Sequence, residues 1–153
     1  MTSEERADLG WTHVALPARD LDASIAFYAA FADLAVVHER ISTTRVVWLG
    51  DGLRPFVLVL VQATATVEHP LGPFAHLGIA VESRARVDAI AAGARAEGRL
   101  RSGPHDDGPP VGYWCFVADP DGHTIEFAFG QHVGATVARA PAAHARDATG
   151  RAW

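Results

Sequence analysis

Two short phrases constrain this chain more than any other feature. Thr12-His13-Val14-Ala15-Leu16 and Ala75-His76-Leu77-Gly78-Ile79 each open a run of strand, helix and three strands, with their histidines 63 residues apart. Each half also carries an acidic-glycine turn before its last strand, Asp51-Gly52 in the first and Asp121-Gly122 in the second. A repeat of this period means two similar units, each burying its apolar face against the other.

The elements follow in order. Trp11 to Pro17 alternates as a strand, and Asp20 or Asp22 can cap a helix from about 21 to 32. Strand-like runs cover 34–39, 44–49 and 56–62, and 63–73 is a loop. The second unit predicts a strand over 74–81, a helix capped by Ser83 and closed by Gly98, and a short strand at 99–102. A Pro/Gly loop at 103–112 holds His105, and a strand spans 113–118. Asp119-Pro120-Asp121-Gly122 makes a tight turn into the last strand. The expected domain is 1–132, with modules at about 10–62 and 74–130. From Val133 the chain lacks an apolar stripe, so 133–153 is expected to be a loosely docked or poorly ordered tail.

Strand parity separates two kinds of side chain. Leu77, Ile79 and Val81 share one face, while His76 shares the other with Gly78 and Ala80. Val14 and Leu16 lie opposite His13 and Ala15. Ile125, Phe127 and Phe129 lie opposite Glu126, which sits among Thr124 and Ala128. The large apolar residues belong under the helices. The histidines and the carboxylate share faces with small residues, which leave room for a cavity. Two histidines and one carboxylate match a facial metal triad that leaves positions for water and substrate, and imidazole with carboxylate suits Fe, Mn, Zn, Ni or Co.

Other side chains are candidates for the same cavity. His105 is a candidate general acid or base on a loop able to close over it. Trp48, Tyr113 and Trp114 are candidate walls of a substrate pocket. Arg45 is a weaker candidate for an acidic substrate group, and Cys115 reads as a small core residue.

Composition narrows the partners. The formal net charge is −5 and no long basic run is present, so no nucleic-acid footprint is expected. The longest apolar run, Pro55 to Val61, is too short to cross a bilayer. The first nine residues are polar, and the single Cys115 excludes an intrachain disulfide framework. These features lead to the expectation of a cytoplasmic protein with a small-molecule partner.

The phrases together resemble the vicinal oxygen chelate superfamily, which includes glyoxalase I, bleomycin and fosfomycin resistance proteins and extradiol dioxygenases. The resemblance rests on Thr12 to Leu16 with Arg19 to Tyr28, on His76 to Val81, and on Asp119 to Glu126, within about residues 10–130. It implies an α+β glyoxalase-like fold, two βαβββ modules forming a curled, mainly antiparallel sheet around a metal cavity. It also implies a homodimer, and one divalent ion held by His13, His76 and Glu126, with Glu126 at the reacting centre. A fourth ligand position falls near Leu58, which lines the cavity under this reading. That strand carries no carboxylate, whereas glyoxalase I has a glutamate there. Extradiol enzymes usually carry a tyrosine where this chain has Phe116. The implied function is a metal-dependent enzyme for substrates with adjacent oxygens, such as 2-oxo acids, hydroxy-ketones, enediols or catechols. Glyoxalase-like lyase or isomerase chemistry is preferred. The alternatives are Fe(II) extradiol-type dioxygenation and drug sequestration of the bleomycin-resistance type.

Overall fold

Asp20 ends the first strand and starts the first helix. Its carboxylate accepts a hydrogen bond from the Ala23 N–H at 3.0 Å, which satisfies one of the free donors of the first turn. The first module is therefore β1 (His13–Ala18), α1 (Leu21–Ala32), β2 (Ala35–Ile41), β3 (Arg45–Gly50) and β4 (Val57–Gln62). Ser83 caps the second helix in the same way, accepting from the Arg86 N–H. The second module is β5 (Leu77–Ala80), α2 (Arg84–Ala96), β6 (Leu100–Asp106), β7 (Tyr113–Ala118) and β8 (Thr124–Phe129), followed by α3 (Val133–Arg139). The computed structural model describes residues 10–140.

The two modules have the same topology. Strand order is β1-β4-β3-β2 in one sheet and β5-β8-β7-β6 in the other, each with one parallel pair, β1 with β4 and β5 with β8. The remaining neighbours are antiparallel. The fold is thus α+β and built from two βαβββ modules. Each module contributes one four-stranded sheet, as the glyoxalase-like fold expected from the sequence requires.

One core joins them. Leu16, Val47, Leu49, Leu58 and Leu60 of the first sheet cluster with Phe27, Tyr28 and Phe31 of α1, Val87 and Ile90 of α2, and Val117, Ile125 and Phe127 of the second sheet. The rings of Phe31 and Phe127 lie 6.5 Å apart and tie α1 to the other module. Both sheets turn their large apolar residues toward this shared core. The faces carrying His13 and Glu126 therefore look away from it.

The Asp119–Gly122 turn fastens the modules at a second place. Buried Asp119 accepts from the Tyr28 hydroxyl at 2.9 Å and from the N–H groups of Asp121 and His123. Asp121 accepts from the Arg19 N–H of the first module at 2.9 Å. His123 is 2% exposed; its Nδ1 accepts from the Leu71 N–H, so its Nε2–H donates to the Pro17 carbonyl. Burial holds the Asp119 carboxyl above the ordinary aspartate range, although these bonds oppose the shift.

Several boundaries differ from expectation: β5 covers only Leu77–Ala80 of the expected 74–81, so His76 stands just before it. β6 runs on to Asp106, so His105 stands on a strand and not in the 103–112 loop. The start of the expected tail is helical over Val133–Arg139, with no buried residue, because only Val133 and Val137 supply apolar side chains at helical spacing. Residues 141–153 of that tail lie outside the described residues.

Candidate metal centre

Strand register brings His76 and Glu126 together. Gly78 pairs with Glu126 across the parallel β5–β8 ladder, and His76 stands two residues before it on the same face. Gly78 has no side chain to fill the gap; a Cβ there would lie 4.0 Å from Glu126 Oε1. His76 Nε2 comes within 3.5 Å of Glu126 Oε2. Its Nδ1 lies 2.8 Å from the Phe74 carbonyl oxygen, a contact in which the ring nitrogen can only donate. That bond leaves Nε2 directed at the carboxylate. Glu126 is 7% exposed, and the Gln131 side-chain amide donates to its Oε1. One carboxylate oxygen is thereby occupied and the other faces the imidazole.

This pair fits a divalent cation. A nitrogen and an oxygen each about 2.1 Å from one ion lie about 3.0–3.5 Å apart when they occupy neighbouring positions. The imidazole also shows the usual arrangement of a ligating histidine, with its other N–H given to a carbonyl.

His13 is not part of the pair. It is exposed on the outward face of the first sheet, with Nδ1 3.0 Å from Thr12 Oγ1. Among the described residues, no group of three or more His, Cys, Asp or Glu side chains is placed to hold a metal ion. The reason is the shared core. Packing the two modules helix side to helix side points their other faces outward, so His13 does not meet His76 and Glu126 within one chain.

Two substrate-wall assignments are corrected. Leu58 is 6% exposed and belongs to the core beside Leu16, on the face away from His13. By the β1–β4 register, His13 pairs with Val57 and Ala15 with Val59, so Val59 occupies the place that Glu126 holds in the second module. The cavity position is thus one residue on from Leu58, and in a strand one residue changes the face. Tyr113 also turns inward. Its hydroxyl donates to Asp88 of α2 at 2.6 Å and the Arg84 guanidinium covers its ring at 4.6 Å, so it faces the helix.

Trp114 and Trp48 do lie on outward faces. Phe116 pairs with Glu126 across β7–β8, and Trp114 with Ala128. A row of rings results: His76 to Phe116 at 5.0 Å, Phe116 to Trp114 at 4.6 Å, and Trp114 to His105 at 4.8 Å. Asp107 accepts from the Trp114 indole N–H at 2.7 Å and holds it in place. His105 is exposed at the far end of the row, with Nε2 2.7 Å from Ser102 Oγ. Trp48 is 42% exposed on the first sheet, 5.0 Å from the His38 ring.

The remaining candidates are engaged elsewhere. Arg45 is bound by Glu39 at 2.6 Å and Asp22 at 2.8 Å. It lines a recess of about 570 Å³ with Arg19, Gln62 and Asp121, which contains neither His76 nor Glu126. The Cys115 thiol is buried, and burial pushes its pKa up to about 11, so it stays protonated and unreactive. Gln131 lies outside every motif of the sequence. Its only signal was its position two residues past the end of β8, and nothing in its type marked it.

Comparison with known proteins decides the family. Residues 10–127 match the model of the Glyoxalase/Bleomycin resistance protein/Dioxygenase superfamily. The chain belongs to that superfamily. A superfamily relative in Pseudomonas aeruginosa, the uncharacterised protein PA2024, is 38% identical over 126 residues, covering 80% of this chain and 90% of that one. Among solved superfamily structures, the trypanothione-dependent glyoxalase I of Leishmania major shares the fold at a TM-score of 0.66. It is 24% identical and matches over 86% of this chain and 94% of that one. A variant of the fosfomycin resistance protein FosX from Listeria monocytogenes, solved with Mn(II) and 1S,2S-dihydroxypropylphosphonic acid, gives 0.63. It is 15% identical, with 86% and 99% covered.

Proposed function

We propose that this protein is a divalent-metal enzyme for a small substrate with adjacent oxygens, with glyoxalase-like lyase or isomerase chemistry. The observation that carries the reading is the facing of His76 Nε2 and Glu126 Oε2, each with its second polar atom already engaged. The Mn(II) in the FosX relative supports a divalent ion as the cofactor. An ion held there supplies Lewis-acid charge to two neighbouring substrate oxygens. His76 and Glu126 hold it, Phe74 fixes the imidazole, and Gln131 fixes which carboxylate oxygen is free. His105, anchored by Ser102, is the candidate to move a proton at the rim of the same face.

His13 joins the site from a second copy of the chain. The outward ligand faces support this, as do Trp11 and Phe74, exposed at 86% and 91% at matching positions two residues before each histidine. Large exposed rings flanking an incomplete site are what a homodimer contact would cover. In such a dimer His13 and Trp48 of one subunit face His76 and Glu126 of the other.

Mixing experiments test this directly. His13→Ala and Glu126→Gln should each lack stoichiometric metal. After co-refolding equal amounts, about a quarter of the sites should regain it, since half the dimers are mixed and each has one intact site. Metal content by elemental mass spectrometry reads the result. No recovery in mixed dimers would show that His13 does not act across the subunits.

Gln131→Leu is expected to weaken Mn(II) binding by roughly 10–100-fold, the usual effect of losing an outer partner of a ligand. Titration calorimetry checks this without reference to turnover. An affinity within twofold of wild type would remove Gln131 from the centre.

A second reading, ring cleavage by an Fe(II) form, is favoured by one observation, the aromatic row beside Glu126. Oxygen consumption with catechol in the Fe(II)-loaded protein separates it from lyase or isomerase chemistry.

A further inference from the structure

We propose that the part of the substrate beside its chelating oxygens is a flat, uncharged aromatic ring, laid against Phe116 and Trp114. This rests on the metal reading above and names the substrate class for that site.

Phe116 is the cross-strand partner of Glu126, and its ring centroid lies 5.0 Å from that of His76. A molecule that brings two oxygens to the His76–Glu126 pair therefore has its next atoms over Phe116. Trp114 continues the surface at 4.6 Å, and both residues are half-buried, with part of each left uncovered. Asp107 fixes the indole through its N–H, so Trp114 is a preset wall. On the other side of Glu126, β5 contributes Gly78 and Ala80, and Glu126's own strand contributes Ala128, small residues that leave space above the sheet.

Charge on this face points the same way. The chain contains no lysine. The arginines of the second module are held elsewhere: Arg84 on Asp106, Arg86 on Asp33, Arg99 on Glu97 and Arg101 at the Gly122 carbonyl. Arg95 lies in the last turn of α2. Among the described residues of this module, each β6 or α2 arginine is thus engaged by a partner or stands on the helix, whereas an aryl group beside the chelating pair finds two rings on the sheet itself. Stacking of aromatic groups adds attraction beyond simple area burial.

Two probes isolate the effect. Phenylglyoxylate and pyruvate share the same carboxylate and ketone oxygens and differ only in phenyl for methyl. Calorimetric titration of the Mn(II)-loaded full chain should show phenylglyoxylate binding about tenfold or more tighter. Trp114→Leu and Phe116→Leu keep an apolar residue and remove a ring. Each should cut that preference to about threefold or less, with Mn(II) content and pyruvate affinity unchanged. A protein that holds Mn(II) yet binds both probes equally, or keeps its preference in both variants, overturns this inference alone. A protein that takes up no Mn(II) overturns the metal reading, and this inference with it.

Discussion

Glu126→Gln is expected to leave a folded protein that no longer retains a divalent ion. The amide keeps the size of the side chain but loses the negative charge, the only acidic contribution to the site among the described residues. The loss should exceed the roughly 10–100-fold cost of an outer-sphere change, because a direct ligand is removed. Stability without metal should be unchanged or slightly higher, since a buried carboxylate is costly where no cation neutralises it. Two measurements separate these effects: metal content after dialysis, and melting temperature with and without added Mn(II). Wild type should melt higher with the ion and the variant should not respond. Equal metal content in the two proteins would refute the assignment of Glu126.

Asp119→Ala acts on the other role of the same turn. Asp119 accepts from the Tyr28 hydroxyl and two backbone N–H groups while buried. Its removal leaves those donors without a partner and loosens the junction between modules. The expected destabilisation is about 3–5 kcal/mol, measured from urea unfolding. Asp119→Asn gives the pH signature. The folded-state pKa is raised, first of all by burial, above the ordinary 3.8. The favourable share of Asp119 is therefore fully present below that value and lost as pH rises through the raised one. An asparagine does not titrate, so its deficit relative to wild type should be largest below pH 3.8 and shrink as pH increases. A deficit that grows with pH would mean that the folded state favours the carboxylate form.

Much of this was legible in residue order. Asp20 and Ser83 announced the helix starts because capping is a local interaction, decided within four residues. The alternation around His76 and Glu126 put both on one face because side chains in a strand have a period of two. The repeat itself foretold two equivalent modules, and the two sheets do share one strand order.

Elsewhere the local pattern carries no information on face. In Val57 to Val61 every residue is apolar, so parity gave no phase, and the ladder with β1 was needed to move the key position from Leu58 to Val59. Tyr113 has an amphipathic side chain that suits either face, and Asp88 with Arg84 drew it to the helix. Gln131 reaches Glu126 only because the chain turns back after β8.

The sequence alone therefore determined which side chains are ligand types, and on which strand faces they stand. The tertiary structure decided which of them meet. Two modules burying their helical sides in one core must present their ligand faces outward. That packing unites His76 with Glu126 inside one module and leaves His13 facing away, an outcome of long-range burial that no spacing along the chain encodes.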